Sequence, residues 1–70
     1  MAKNIIKEIR LALMLNQSEL ARAIKMQPSD ISNYEAGRRR PGMATIRKLI
    51  AFAKQHKIKL TAEDFFNDHN

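Results

Sequence analysis

The sequence predicts an all-α fold, a compact bundle of about five short helices that forms one domain over residues 1–70. Hydrophobic residues make up 44% of the chain, and it has only two glycines and two prolines, which is typical of packed helices and not of a disordered segment. The chain has no cysteine, so no disulfide can reinforce it. We therefore expect a small core that depends on close helix packing and that a partner subunit would help to stabilise.

The first two helices are predicted by apolar residues that recur at three- and four-residue steps. We expect the first helix from Asn4, which can act as its N-cap, to about Leu15. The second follows Asn16, whose side chain can accept from free N–H groups while Glu19 reaches back to complete a capping box, and it ends near Lys25. The inward-facing residues are Ile6, Ile9 and Leu13 in the first helix and Leu20, Ala21 and Ile24 in the second.

A third helix is predicted to begin at Pro28, because proline has a helical φ and lacks an N–H that would have no partner in the first turn. Gln27 precedes this proline and is therefore expected to be extended. Ile31 and Tyr34 are three residues apart and should face inward, and Gly37 can close the helix as a C-cap.

A fourth helix is predicted from about Met43 to Gln55, after a loop over residues 38–42 that contains a proline and a glycine. Residues 57–60 are expected to be extended. Thr61 can then cap a short fifth helix in which Asp64 lies at the third position. The apolar face of the fourth helix is predicted to consist of Ile46, Leu49, Ile50 and Ala53.

The charge of the chain points to a polyanionic partner. Thirteen Lys and Arg residues oppose seven Asp and Glu residues, which gives a net charge of +6. The stretch from Arg38 to Lys59 has eight basic residues and no acidic one. Neutralised phosphates release counterions, so this excess of positive charge favours nucleic-acid binding, although charge alone also fits a solvated surface.

Two short helices joined by a tight connection, the first capped by Asn16 and the second opened by Pro28, form a helix-turn-helix. The runs LNQSELA at 15–21 and ISNYEAGRRRP at 31–41 resemble the phage repressor and Cro-like helix-turn-helix family. The resemblance extends from about residue 9 to residue 53. It implies a lambda-repressor-like DNA-binding domain whose second motif helix, near residues 28–36, enters the major groove of double-stranded DNA.

The exposed residues of this recognition helix are the expected base contacts: Gln27, Pro28, Ser29 and Asn33. The two amides can each offer a donor and an acceptor to adenine, the hydroxyl can bond to several base edges, and the proline can touch a thymine methyl. These residues could also be ordinary polar residues of a first helical turn. Asp30 is harder to place, because phosphates repel a carboxylate unless it accepts from a cytosine amino group or faces a neighbouring arginine.

The resemblance also implies phosphate contacts on both flanks, from Asn16, Gln17, Arg38, Arg39 and Arg40. Asn16 could equally be a simple cap. The family pattern further places Arg10 against Glu35, in a partly buried ion pair that fixes the recognition helix. One departure is Lys25, where the family usually has glycine in the turn between the motif helices. A left-handed Lys25 would cost about 1 kcal/mol.

We therefore predict a sequence-specific transcriptional regulator, a repressor that works as a cytoplasmic homodimer, because one recognition helix reads few base pairs. The dimer seam is expected among Met43, Ile58, Leu60, Phe65 and Phe66. The alternative is an antitoxin-type protein that uses the aromatic pair to bind a toxin. The sequence shows no phosphate-cradling loop, metal-spaced cluster or nucleophile beside a base, so we predict no enzyme activity, no cofactor and no metal.

Overall fold

The computed structural model describes residues 4–66, and within this range it contains five α-helices and no strand. The predicted all-α fold is confirmed. The helices are α1 (Ile5–Ala12), α2 (Gln17–Ala23), α3 (Pro28–Glu35), α4 (Met43–Gln55) and α5 (Ala62–Phe66). No helix in the described range has both the length and the apolar composition that crossing a bilayer requires.

The core lies between α1, α2, α3 and α4, and its centre is formed by side chains with no exposed surface. Most of the predicted inward-facing residues are buried, whereas Leu13 and Ile50 are only half-buried at its edge. Phe52 was not predicted to face inward, but its side chain is buried and only 8% exposed. The buried hydrophobic residues are Ile6, Ile9, Leu20, Ala21, Ile24, Ile31, Tyr34, Ile46, Leu49, Phe52, Ala53 and Leu60.

The starts of α2 and α3 agree with the sequence signals. Asn16 Oδ1 accepts from the backbone N–H of Glu19 at 2.7 Å, and Glu19 Oε1 accepts from the N–H of Asn16 at 2.8 Å, which completes the predicted capping box. Pro28 is the first residue of α3, and Gln27 before it is extended with ψ 145°. The chain therefore enters the helix-turn-helix as the sequence predicts.

The first four helices all end in the same way. In each, the residue after the C-cap has a left-handed φ, and the N–H of the next residue donates to the carbonyl five positions earlier, which is the Schellman motif. The left-handed residues are Met14 (58°), Lys25 (58°), Gly37 (78°) and Lys57 (60°). Because such a residue cannot continue a helix, α1 ends at Ala12 and α2 at Ala23, earlier than predicted. Lys25, where the resembled family usually has glycine, is left-handed.

The residue that follows each left-handed position distinguishes α3 from the other helices. After α1, α2 and α4 this residue is Leu15, Met26 or Ile58, each half-buried and packed against the core. After α3 it is Arg38, which is exposed. The chain therefore turns back towards the core after α1, α2 and α4 and remains at the surface after α3.

The side chain of Asn4 links the start of α1 to the end of α3. Its Oδ1 accepts from the N–H of Lys7 at 3.0 Å and so caps α1. Its Nδ2 donates to the carbonyl oxygen of Tyr34 at 3.0 Å and, more weakly, to that of Glu35 at 3.4 Å. These carbonyls belong to the last turn of α3, and that of Tyr34 also accepts from the backbone N–H of Gly37 at 3.2 Å.

The connection to α5 differs from the prediction. Lys57 is left-handed and not extended, so the chain reverses there. Ile58 and Leu60 then face the core while Lys59 between them is exposed. Asp64 Oδ2 accepts from the N–H of Thr61 at 2.9 Å, as a capping residue at the third position would.

Candidate nucleic-acid interface

The recognition helix, α3, presents a polar face to solvent. Gln27, Pro28 and Ser29 are exposed at its N-terminal end, and Asn33 lies one turn further on and is half-buried. The opposite face of the helix packs on the core through Ile31, which is 0% exposed, and Tyr34, which is 4% exposed. The short polar side chains that the sequence singled out are therefore brought together at the outward end of one helix.

Asp30 has two partners, and they answer the question that the sequence left open. Its Oδ2 accepts from the backbone N–H of Gln27 at 3.2 Å, which caps the start of α3. Its Oδ1 accepts from Nη1 of Arg39 at 3.0 Å. Asp30 thus faces a neighbouring arginine.

The three arginines of the loop after α3 differ in what they contact. Arg38 Nε donates to Oδ1 of Asn33 at 3.0 Å. The guanidinium carbon of Arg39, which pairs with Asp30, also lies 5.5 Å from the centre of the Tyr34 ring, within cation–π range. Arg40 is exposed, and within the described part of the chain its side chain makes no hydrogen bond or ion pair.

Glu35, the last residue of α3, receives hydrogen bonds from α1 and α2. Arg10 donates from Nε to Oε2 at 2.7 Å and from Nη2 to Oε1 at 2.9 Å, a two-point pair with little exposure on either side. The resemblance implied that these residues pair, and in the structure they do. Arg10 Nη1 also donates to the carbonyl of Leu15 at 3.0 Å, and Gln17 Nε2 donates to Glu35 Oε1 at 3.1 Å.

These contacts set the charge state of the pair. Burial alone raises the pKa of Glu35, but the hydrogen bonds from Arg10 and Gln17, together with the charges of Arg10 and Lys7, outweigh it and hold the pKa below its ordinary value. The hydrogen bond to Glu35 raises the pKa of Arg10 despite some desolvation. Both groups are therefore charged at neutral pH, and the recognition helix is fixed to α1 through an ion pair.

The side chains expected to meet phosphates at the start of α2 have intramolecular partners. Asn16 is the N-cap of α2, and Gln17 bonds to Glu35. Gln17 therefore joins α2 to the end of the recognition helix, a role that the sequence did not indicate. Gln17 and Glu35 are 18 residues apart in the sequence and lie in different helices, so no helical periodicity could have revealed the bond.

The residues expected at a dimer seam separate into two groups. Met43 is 48% exposed and Phe66 is 54% exposed. Ile58 and Phe65 are half-buried against the core, and Leu60 is 7% exposed and part of it. Leu60 is thus the most buried of the five residues, and its place in a dimer seam stays a prediction.

Within residues 4–66, no group of three or more His, Asp or Glu side chains is arranged to hold a metal ion. What the described residues bring together is a polar helix end flanked by arginines. This arrangement suits the edges of bases and a phosphate backbone.

Comparison with known proteins agrees with this geometry. The family described as Helix-turn-helix matches residues 6–54. An uncharacterized HTH-type transcriptional regulator from Archaeoglobus fulgidus is 51% identical over 35 residues, which cover 50% of this chain and 15% of that relative. No solved structure matches. Since the family match spans well over half of the sequence, the chain belongs to the phage repressor and Cro-like helix-turn-helix family, whose members bind DNA and are not enzymes.

Proposed function

We propose that this protein binds a specific double-stranded DNA site by inserting the N-terminal half of α3 into the major groove. The observation that carries this proposal is the outward polar end of α3, supported from behind by buried residues. A helix that is fixed in this way can hold short polar side chains at a constant distance from base edges. The proposed base contacts are Gln27, Pro28, Ser29 and Asn33.

The proposed phosphate contacts lie on both sides of α3. On one side are Asn16 and Gln17 at the start of α2, where backbone N–H groups and the helix dipole favour an anion. On the other side is the run of arginines at 38–40. The net charge of +6 supports this assignment, because a basic domain gains affinity from counterion release.

We further propose that the protein regulates transcription as a homodimeric repressor. Blocking a promoter is the simplest result of occupying a DNA site. Two copies related by a two-fold axis would double the number of base pairs read. The exposed side chains of Met43 and Phe66 support a protein contact on the domain. The cytoplasmic location stays a prediction.

The same exposed side chains favour one alternative, an antitoxin-type protein that binds a toxin through this surface. Sedimentation of the purified protein with and without a palindromic site separates the two. A homodimer that Phe66→Ala weakens supports the repressor, whereas a monomer on DNA that co-purifies with a second protein supports the antitoxin.

The proposed DNA binding is tested by selecting duplexes from a random pool and then changing one amide of α3. Gln27→Ala should weaken binding to the selected duplex about 10- to 100-fold and relax the preference at one base position, because a bidentate base contact is lost. Gln55→Ala is the matched control, since Gln55 is an exposed glutamine at the end of α4. A selection that enriches no sequence, or a preference that survives Gln27→Ala and Asn33→Ala together, would refute the proposal.

A further inference from the structure

Asp30 and Arg39 form an ion pair on the flank of α3, and the proposed reading of DNA uses Arg39 but gives no role to Asp30. We propose that Asp30 is a specificity-determining residue, which acts by holding Arg39 in one place and so penalises binding to the wrong DNA. The inference rests on the proposed function, because it concerns how tightly the same interface binds correct and incorrect sites.

The pair is anchored at both ends. The carboxylate of Asp30 is fixed by the N–H of Gln27 at 3.2 Å and holds Arg39 Nη1 at 3.0 Å. Asp30 and Tyr34 are four residues apart on α3 and lie on the same face, so the guanidinium can reach both the carboxylate and the Tyr34 ring. Arg39 nevertheless remains 56% exposed, and Asp30 24%. The guanidinium is thus held in place but still open to an anion.

A held arginine differs from a free one in what it can contact. A free arginine at the edge of a DNA interface follows whichever phosphate is nearest, so it strengthens binding to every sequence equally. A guanidinium has five N–H groups, and Arg39 commits only Nη1 to Asp30. The remaining N–H groups can bond to a phosphate only where one lies beside α3.

The charge of Asp30 acts in the same direction. In a register where no phosphate meets the held guanidinium, the carboxylate still faces the negative backbone and repels it. In the correct register the arginine lies between the carboxylate and a phosphate and screens one from the other. Asp30 therefore weakens non-specific binding more than specific binding, which is a repulsive contribution to specificity.

The test compares Asp30→Asn with Glu63→Gln. Asn has the size of Asp and can still accept from the N–H of Gln27, but it releases Arg39. Glu63 is exposed on α5, and its change to Gln alters the net charge by the same amount without touching an arginine. Each protein is titrated at two salt concentrations with a random-sequence duplex and with the duplex that the wild type selects.

We expect Asp30→Asn to bind the random-sequence duplex about threefold more tightly, because a surface ion pair no longer competes with phosphate. The slope of log affinity against log salt should steepen by about 0.9, the value for one additional phosphate contact. Affinity for the selected duplex should change by less than about twofold, so the ratio of specific to non-specific binding falls. Glu63→Gln should leave that ratio unchanged.

An Arg39→Gln background shows whether Asp30 acts through Arg39. There, Asp30→Asn should leave the specificity ratio unchanged, because no arginine remains to be released. If the ratio still falls, the carboxylate distinguishes the two duplexes without Arg39, and the inference is wrong. Equal weakening on both duplexes would make Asp30 a simple helix cap. A wild type with no preference for any duplex would overturn the proposed function and this inference together.

Discussion

The end of the recognition helix is built differently from the ends of α1, α2 and α4, although all four share one backbone motif. The other three ends are closed by an apolar residue packed on the core: Leu15, Met26 or Ile58. At the end of α3 that position is Arg38, which is exposed and bonds to Asn33. The apolar contact with the core that closes α1, α2 and α4 is therefore absent from the end of α3.

Polar contacts from α1 and α2 take the place of that apolar contact. Glu35 binds Arg10 and Gln17, and the carbonyls of the last turn accept from Asn4. These bonds hold the inner side of α3. The loop after α3 therefore needs no apolar residue on the core, and its arginines are exposed. The difference shows how a small domain can keep a helix in position while the residues after it stay exposed to solvent.

The largest effect is expected from breaking the polar anchor of α3. Glu35→Gln should lower the free energy of unfolding by about 3 kcal/mol, because Arg10 is left nearly buried without a counter-charge. Urea denaturation measures this loss. Glu63→Gln, at an exposed position, should change stability by less than about 0.5 kcal/mol. Equal effects of the two changes would mean that the ion pair does not anchor the helix.

The same anchor should make stability depend on acid pH. The pKa of folded Glu35 lies below its ordinary value of 4.5, so its contribution is fully present above about pH 4.5 and is lost as pH falls through the folded pKa. The stability difference between wild type and Glu35→Gln should therefore narrow below that pH. Denaturation curves between pH 7 and 3 would show it, and a gap that widens with acid would contradict the sign.

An intermediate effect is expected from removing the apolar contact at another helix end. Ile58→Ala should cost about 1.5 kcal/mol, roughly half the loss at a fully buried site, because Ile58 is half-buried. Arg38→Ala should leave stability within about 0.5 kcal/mol and weaken DNA binding. If Arg38→Ala destabilises the fold as much as Ile58→Ala, the distinction between the helix ends fails.

The smallest effects are expected at the left-handed residues themselves. Lys25→Gly and Lys57→Gly should each raise stability by up to about 1 kcal/mol, since glycine adopts φ near 58–60° without strain. Gly37→Ala should lower it by a similar amount, although a Cβ there would meet no atom within 4 Å. Thermal midpoints measure all three. A lower midpoint for Lys25→Gly would contradict the assigned turn.

Much of the fold was predictable because its signals are local. The capping box of Asn16 and Glu19 and the start of α3 at Pro28 both depend on residues a few positions apart. Helical spacing likewise identified most of the buried stripe. The extended conformation predicted for Lys57 was wrong, because the chain reverses there and no sequence period marks that reversal.

The candidate site was predictable only in part. The sequence identified the polar face of α3 and the arginines beside it, but not which side chains would pair. Asp30 with Arg39 and Gln17 with Glu35 are contacts between separate elements, and they depend on how α2, α3 and the loop after α3 pack. Of such contacts, only the pairing of Arg10 with Glu35 was expected, and it came from the family resemblance and not from spacing.

The double role of Asn4 limits which residues can replace it. Asp and Ser are both good N-caps, so either would preserve the start of α1. Neither would serve α3 as well, because an ionised carboxylate has no hydrogen to give and would set its charge against two carbonyl oxygens, while a hydroxyl has a single hydrogen and a shorter reach. Of the usual capping residues, only an amide carries an acceptor and two hydrogens on one planar group, so this position needs asparagine for a reason that no rule about α1 alone would reveal.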